Sequence, residues 1–291
     1  MSLPALALVG GESLLSLYPI IVRKTPLPID WQIFSRLFVY TLIPIFFGNI
    51  VALSSIPLIS WITISIANFI HIYTSYKGFQ ILAPGLAMTL LYLYPIFNLI
   101  LLYLFFHLDV SPIILLFMFA PIALIYSIYQ DRKDSQPKEK LNGVAFMLLA
   151  ALTESIIYII LKYTNTGSNP WNAIFFTYFG SLIIALSLFI GGFRIDKLPD
   201  TSLSSFLTNN RKPILLLLIA NIFIGAIGHM LRFFSIPLLA PIIFSILSFT
   251  GIISSHIFGN WFVGESISIP TIIKLGLLII SLIIIRFVAK A

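Results

Sequence analysis

Two glutamates stand in the middle of apolar runs, and each sits in nearly the same local sequence. One is in Gly11-Glu12-Ser13-Leu14-Leu15-Ser16-Leu17-Tyr18; the other is in Thr153-Glu154-Ser155-Ile156-Ile157-Tyr158-Ile159-Ile160. Each comes about a dozen residues into its run, which at about 1.5 Å per helical residue is half-way through a bilayer. A carboxylate is costly at that depth, so an ionisable group there is a functional hypothesis by default. Low dielectric disfavours the charged form, and a second carboxylate nearby adds to the effect. Such a pair can hold a proton near neutral pH and release it to an arriving cation or amine, the physical requirement of proton-coupled exchange. The structural alternative is that each Glu is neutral and bonds Ser16 or Tyr158 one turn on, holding helices together.

Other polar groups lie at comparable depth. His71 and His229 fall on the third and eighth apolar runs, as packing histidines or as substrate or proton-relay groups. Tyr73 and Tyr76, and Tyr92 and Tyr94 just before Pro95, are suitable wall residues for an amphipathic ligand. Asn68 and Asn221 are expected to pair helices. Arg232, Arg36 and Lys274 lie close enough to run ends to reach the interface with their charged heads. Paired metal-ligand motifs and a nucleophile elbow are absent, so neither a metal, another cofactor nor an enzyme activity is expected.

The elements that must carry these residues are membrane helices. The chain has 291 residues, 59% hydrophobic and only 9% charged, with a mean hydropathy of +1.05. That composition fits only a polytopic, integral membrane protein surrounded by lipid. The formal charge of +7 comes from basic residues in short connections, and no basic stripe suggests nucleic acid as a partner. With no cysteine, neither disulfides nor thiolate metal sites arise. Met1 to Val22 lacks a basic start and a cleavage signal and carries Glu12, so it reads as a helix rather than a signal peptide.

Ten spans near the required ~20 residues can be drawn. They are Leu3–Val22, Trp31–Leu53, Ile56–Tyr76, Ile81–Phe106, Ile113–Tyr129, Leu141–Leu161, Trp171–Ile190, Ile214–Phe234, Pro241–Phe262 and Thr271–Phe287. Asp30 and Asn169 are expected helix caps, and Pro170 a first helical residue. Pro84, Pro95 and Pro241 are expected to end or kink helices. Two segments are polar: Gln130–Lys140, near the middle, and Gly192–Lys212.

The chain repeats itself in order. Glu12-Ser13 answers Glu154-Ser155, Trp31 answers Trp171, Leu82-Ala83-Pro84 answers Leu239-Ala240-Pro241, and Asp109 and Pro112 roughly answer Glu265 and Pro270. The expected organisation is therefore a five-helix repeat at 1–130, a polar hinge at 131–140 and a second repeat at 141–291. Five spans is an odd number, so the second repeat must be inverted. The expected fold is all-α, ten transmembrane helices in two inverted five-helix repeats, as in secondary transporters with a site between repeats.

These features resemble the drug/metabolite transporter superfamily in its ten-helix, two-repeat (EamA-like) exporter form, over almost the whole chain. Pro95 and Asp109 fit its fourth-helix pattern, and Phe258-Gly259-Asn260-Trp261-Phe262-Val263-Gly264-Glu265-Ser266 is similar to the end of its ninth helix. Gly251 stands where the second-half proline belongs. A narrower resemblance covers Leu148-Leu149-Ala150-Ala151-Leu152-Thr153-Glu154 and Lys162, similar to the first helix of the four-helix small multidrug resistance proteins. There a membrane Glu binds protons and cationic substrate in turn; Ile157 replaces their glycine. The charge rule would put both termini away from the cytoplasm, whereas the resemblance implies the opposite.

The expected function is alternating-access transport of small organic metabolites, amino acids or related amphipathic compounds, with protons as a second ligand. Glu12, Glu154, Tyr158, His71, His229, Tyr73 and Tyr94 are the candidate binding residues. A monomer already contains both repeats and suffices, with a dimer open. The alternatives are an organellar sugar-phosphate or nucleotide-sugar exchanger, a membrane enzyme and a non-transporting membrane protein. Anionic phosphates want Lys or Arg in a cavity, and the central depth offers carboxylates and histidines instead, which ranks the exchanger lower.

Overall fold

A computed structural model describes residues 2–107, 123–124, 126–127, 137–192, 203–265 and 268–288. Asp109, Pro112, most of the expected fifth span, residues 131–136 of the hinge and 193–202 of the later polar segment lie outside the described residues. Every regular element among those described is helical.

Seven stretches among the described residues are long and apolar enough to cross a bilayer: Leu3–Lys24, Leu58–Ile81, Pro84–Phe106, Leu141–Tyr163, Pro170–Ile190, Arg211–Ser235 and Pro241–Val263. In detail the chain runs α1 (Leu3–Leu15), α2 (Tyr18–Lys24), α3 (Ile29–Phe47), α4 (Leu58–Ile81), α5 (Pro84–Leu91), α6 (Tyr94–Phe106), α7 (Pro137–Tyr163) and α8 (Pro170–Ile190). It continues with α9 (Leu203–Asn209), α10 (Arg211–Ala220), α11 (Ile227–Ser235), α12 (Pro241–Ser248), α13 (Thr250–Val263) and α14 (Ile269–Val288). The outer surface carries exposed Phe46, Phe47, Val51, Ile59, Ile190 and Trp261, while Glu12, Asn68, His71, Glu154, His229 and Arg232 are buried. Apolar groups outside and ionisable groups inside is the arrangement a lipid solvent demands. The protein is an integral, multi-pass membrane protein.

Local sequence explains the helix limits. Asn169 caps α8, its side-chain oxygen accepting from the Trp171 N–H at 3.0 Å, with Pro170 as the first helical residue. Asp30, by contrast, lies in the first turn of α3 rather than at its cap, because α3 starts two residues before Trp31, at Ile29, with Pro28 in the cap position. Pro84 and Pro241 start α5 and α12 rather than ending helices: the preceding alanines are extended, as the residue before a proline must be. Pro19 and Pro95 lie just inside α2 and α6, and the chain breaks ahead of each. A proline there leaves the carbonyl four residues back without its helical donor. The part of the expected hinge from Pro137 onward is helical and opens α7.

Helix α1 packs along α11, and α7 packs along α4; the broken pairs α5/α6 and α12/α13 close the centre between them. The α1–α11 crossing is tight because two glycines meet there. A Cβ on Gly11 would stand 2.8 Å from the Gly228 carbonyl oxygen and 3.1 Å from the Arg232 nitrogen. Small residues allow this approach in a membrane, where dispersion rather than the hydrophobic effect drives helix pairing. A π-helical turn at Asn221–Ala226 leads into α11. Such turns are rare and concentrate at functional sites.

Candidate functional site

Glu12 on α1 and Glu154 on α7 converge on one guanidinium. Arg232 on α11 places Nε 3.1 Å from Glu12 Oε1 and Nη1 2.7 Å from Glu154 Oε1. Glu12 is 1% exposed and Arg232 6%. Arg232 thus does not reach out to the interface as its sequence position suggested. Two buried carboxylates compete successfully with the headgroup region for its charge. Its guanidinium also lies 4.6 Å from the centre of the Tyr94 ring, in cation–π range.

The remaining lone pairs of Glu12 are met by phenols. Tyr92 donates to Oε2 at 2.8 Å and Tyr94 to Oε1 at 3.0 Å. Both tyrosines stand at the α5/α6 break, so Pro95 positions them by interrupting the helix at that depth. Room for Tyr92 comes from the opposite half: a Cβ on Gly251 would fall inside the Tyr92 phenol. Gly251, which stands where a proline was expected, therefore makes way for the tyrosine that holds Glu12.

Glu154 is held differently. His71 Nε2 lies 3.3 Å from its Oε2, and His71 Nδ1 lies 3.0 Å from the Ala150 carbonyl oxygen. A carbonyl only accepts, so Nδ1 carries a hydrogen. The Nε2···Oε2 contact is then a hydrogen bond only when a further proton sits on Nε2 or on the carboxyl. His71 and Glu154 together form a one-proton site.

A second buried cation lies beside this cluster. Arg36 is 4% exposed, and not, as its place near a span start suggested, directed to the interface. It donates from Nη2 to the Tyr178 hydroxyl at 3.1 Å and to His229 Nε2 at 3.0 Å. Its charge lies 4.6 Å from the Tyr18 ring centre and 5.4 Å from that of Tyr40. The Tyr18 and Tyr40 hydroxyls bond one another; Tyr18 also donates to Asn221 at 2.7 Å, and Asn221 donates to Ser35 at 2.9 Å. Gly225 in the π-helical turn leaves space for the two phenols. Asn68 pairs helices as expected, donating to the Thr177 carbonyl and to Ser181.

Glu12, Glu154, Arg232, Arg36, His71, His229, Tyr92 and Tyr94 line one central cavity, with Leu15, Phe79, Met88 and Leu91 among its apolar walls. The free space is about 30 Å³, room for a water or two. The conformation is contracted around its own ion pairs. A larger chamber of about 280 Å³ lies beyond, bordered by Lys162, Asn169, Phe233 and Ile236. Phe233 borders this chamber, and its ring centre lies 5.3 Å from that of His229, which borders the central cavity. Lys162 is turned away from the centre and donates to the carbonyls of Ile236 and Leu239 at 2.9 and 2.8 Å.

Two expected site residues are elsewhere. Tyr73 is half-buried and packs edge-on against Phe146. Tyr158 packs at a tilt against Phe244, ring centres 4.7 Å apart, with its hydroxyl unpartnered, and neither lines the cavity. Ser16 donates to the Ser13 carbonyl rather than to Glu12, so the one-turn bonds considered from sequence do not form. Glu265, away from the centre, accepts from the Gly85 N–H at 3.0 Å at the start of α5. Among the described residues no group of three acidic or histidine side chains is placed to hold a metal.

The model of the EamA-like transporter family matches residues 141–287, half of the chain and the half that contains Glu154, His229 and Arg232. The chain belongs to the EamA-like transporter family. Membership supports a membrane transporter of small molecules. A solved crystal structure superimposes on this EamA-like chain with a TM-score of 0.70 at 13% identity, covering 99% of this chain and 97% of the other. At that identity the likeness speaks for the fold alone. No curated protein matches the sequence.

Proposed function

We propose that this EamA-like protein is a secondary transporter of small organic metabolites that carry an amine, amino acids or related amphipathic compounds, working by alternating access with proton coupling. The observation that carries the reading is the meeting of Glu12 and Glu154 on Arg232 in a buried cavity. The guanidinium stands where a substrate ammonium would stand. An incoming amine can take over one or both carboxylates while Arg232 swings aside, so the buried negative charge is never left bare, which would be costly. The His71–Glu154 proton is the coupling element: protonated, the pair is a poorer partner for a cation; deprotonated, a better one.

A cavity of about 30 Å³ admits no amino acid, so binding requires the halves to part. The proposed units are the repeats at 1–130 and 141–291, rocking about the breaks at Leu17, Leu93 and Phe249, with the matched α1–α11 and α4–α7 contacts as the sliding surfaces. One chain supplies every group in the cavity, which supports a functional monomer.

One observation favours the exchanger reading more than the sequence did. Arg36 and Arg232 are both central, so the argument that the centre lacks basic groups no longer holds. The two carboxylates in the same cavity still disfavour a multiply charged phosphate. Thermal stabilisation of the purified protein by amino acids, polyamines, quaternary ammonium compounds and sugar phosphates tests the choice, because a ligand of the native state raises apparent stability by mass action. Stabilisation by amines or amino acids that disappears in Glu12→Gln/Glu154→Gln supports the proposal. Stabilisation by sugar phosphates alone, indifferent to both changes, overturns it.

A further inference from the structure

The amine reading leaves Arg36 unexplained. Its hydrogen-bond partners are neutral, and no carboxylate lies within ion-pair distance of it among the described residues. A buried guanidinium surrounded by phenols and an imidazole is a cation without a counter-charge in contact with it; Glu154 acts on it only across the cavity. Three buried donors around it also lack an acceptor: Arg36 Nε, His229 Nδ1 and the Tyr76 hydroxyl. His229 Nδ1 counts as a donor because Nε2 receives the Arg36 hydrogen, and a neutral imidazole then carries its proton on the other nitrogen. Tyr76 lies beside the same group, with its ring centre 5.9 Å from the guanidinium carbon. Buried donors nearly always find acceptors; a cluster of three around one cation asks for an anion with several lone pairs.

We propose that Arg36, with Tyr76 and His229, is a carboxylate-binding subsite, and that the transported molecule is a zwitterionic aminocarboxylate whose ammonium lies at Glu12 and Glu154. This rests on the amine reading above. The two charges of such a molecule find opposite charges in one cavity, since Arg36 and His229 line it together with both glutamates. A carboxylate supplies two oxygens with about four acceptor positions, enough for three donors, and planar guanidinium–carboxylate pairing is strong and directional. Leu15, Phe79, Met88 and Leu91 on the same walls give an apolar side chain a place to lie.

The test compares each proteinogenic amino acid with its decarboxylated amine and its deaminated acid, and adds inorganic phosphate, by thermal stabilisation of the full-length purified protein. The proteins are the wild type, Arg36→Gln, Tyr76→Phe and Glu12→Gln/Glu154→Gln. Tyr76→Phe keeps the ring and removes only a hydroxyl whose hydrogen has no acceptor in the protein, so it disturbs the fold less than Arg36→Gln does. The proposal expects at least one amino acid to bind the wild type about tenfold or more tightly than its amine. Arg36→Gln and Tyr76→Phe should reduce amino-acid binding toward the level of the amine without weakening amine binding. Unchanged amino-acid binding in both variants overturns the carboxylate subsite while the amine reading stands. Binding of the acids or of inorganic phosphate, lost in Arg36→Gln but kept in the double Gln variant, with no response to amines, overturns the amine reading and the zwitterion with it. A wild type that responds to no amino acid overturns the proposal outright.

Discussion

Glu12 and Glu154, 142 positions apart in the chain, ionically share the one guanidinium of Arg232. Neither carboxylate has another arginine or lysine at ion-pair distance among the described residues. Arg232→Gln therefore leaves two buried carboxylates close together with no cation between them. Breaking a buried pair from one side costs about 3–5 kcal/mol, and thermal unfolding of the purified variant should show a loss of that order. The triple variant Glu12→Gln/Glu154→Gln/Arg232→Gln should recover most of it, because no unpaired charge remains. A triple variant no more stable than Arg232→Gln would contradict this account of the ion pairs.

Gly251 predicts a functional defect at a residue with no charge and no polar side chain of its own. Alanine there must push the Tyr92 ring away from Glu12. Overpacking costs about 1–3 kcal/mol, and a lost hydrogen bond to a charged group about 1.5–3 kcal/mol. Gly251→Ala should lose both stability and ligand binding, whereas Tyr92→Phe, which keeps the ring and drops the hydroxyl, should lose binding with a smaller loss of stability. Wild-type stability in Gly251→Ala, measured by thermal unfolding, would show that the helices part without strain.

The one-proton site at His71 and Glu154 sets the sign of the pH dependence. The groups facing it are Arg232 and, through the cavity, Glu12, Arg36, His229 and Tyr94. A proton on the pair cancels negative charge that an ammonium needs, so amine binding should strengthen as pH rises and the proton leaves. Ligand-induced stabilisation measured over a pH series should grow toward higher pH in the wild type as the pair gives up its proton. In His71→Gln the dependence should flatten, since Gln can donate to the carboxylate without titrating. A dependence of the opposite sign would contradict proton–amine competition at this pair.

The sequence displayed the carboxylates but not the arginine they share. Glu12 and Glu154 stood out because each interrupts an apolar run at mid-depth, and His71, His229, Tyr92 and Tyr94 followed from their helices. Arg232 was hidden by one rule: three residues after His229 and near a drawn span end, it fitted a side chain reaching for the interface. Only the tertiary crossing of α1 and α11 puts it against Glu12. The usable signal was the glycine pattern. Gly11, Gly225, Gly228 and Gly251 each yield space to a residue of the site, and glycines at mid-span mark close approach in membranes. Tyr73 misled because a tyrosine on the right helix still has to be on the right face, and one residue of helix turns a side chain by about 100°.

The two glutamates are the amine and proton groups on which the proposed transport depends. Counterflow of labelled amino acids in proteoliposomes, with the wild type and Glu12→Gln/Glu154→Gln side by side and a pH gradient applied or absent, measures this most directly. The account predicts saturable flux that responds to the gradient in the wild type and is abolished in the double variant. Full flux with unchanged proton dependence in the double variant would contradict it.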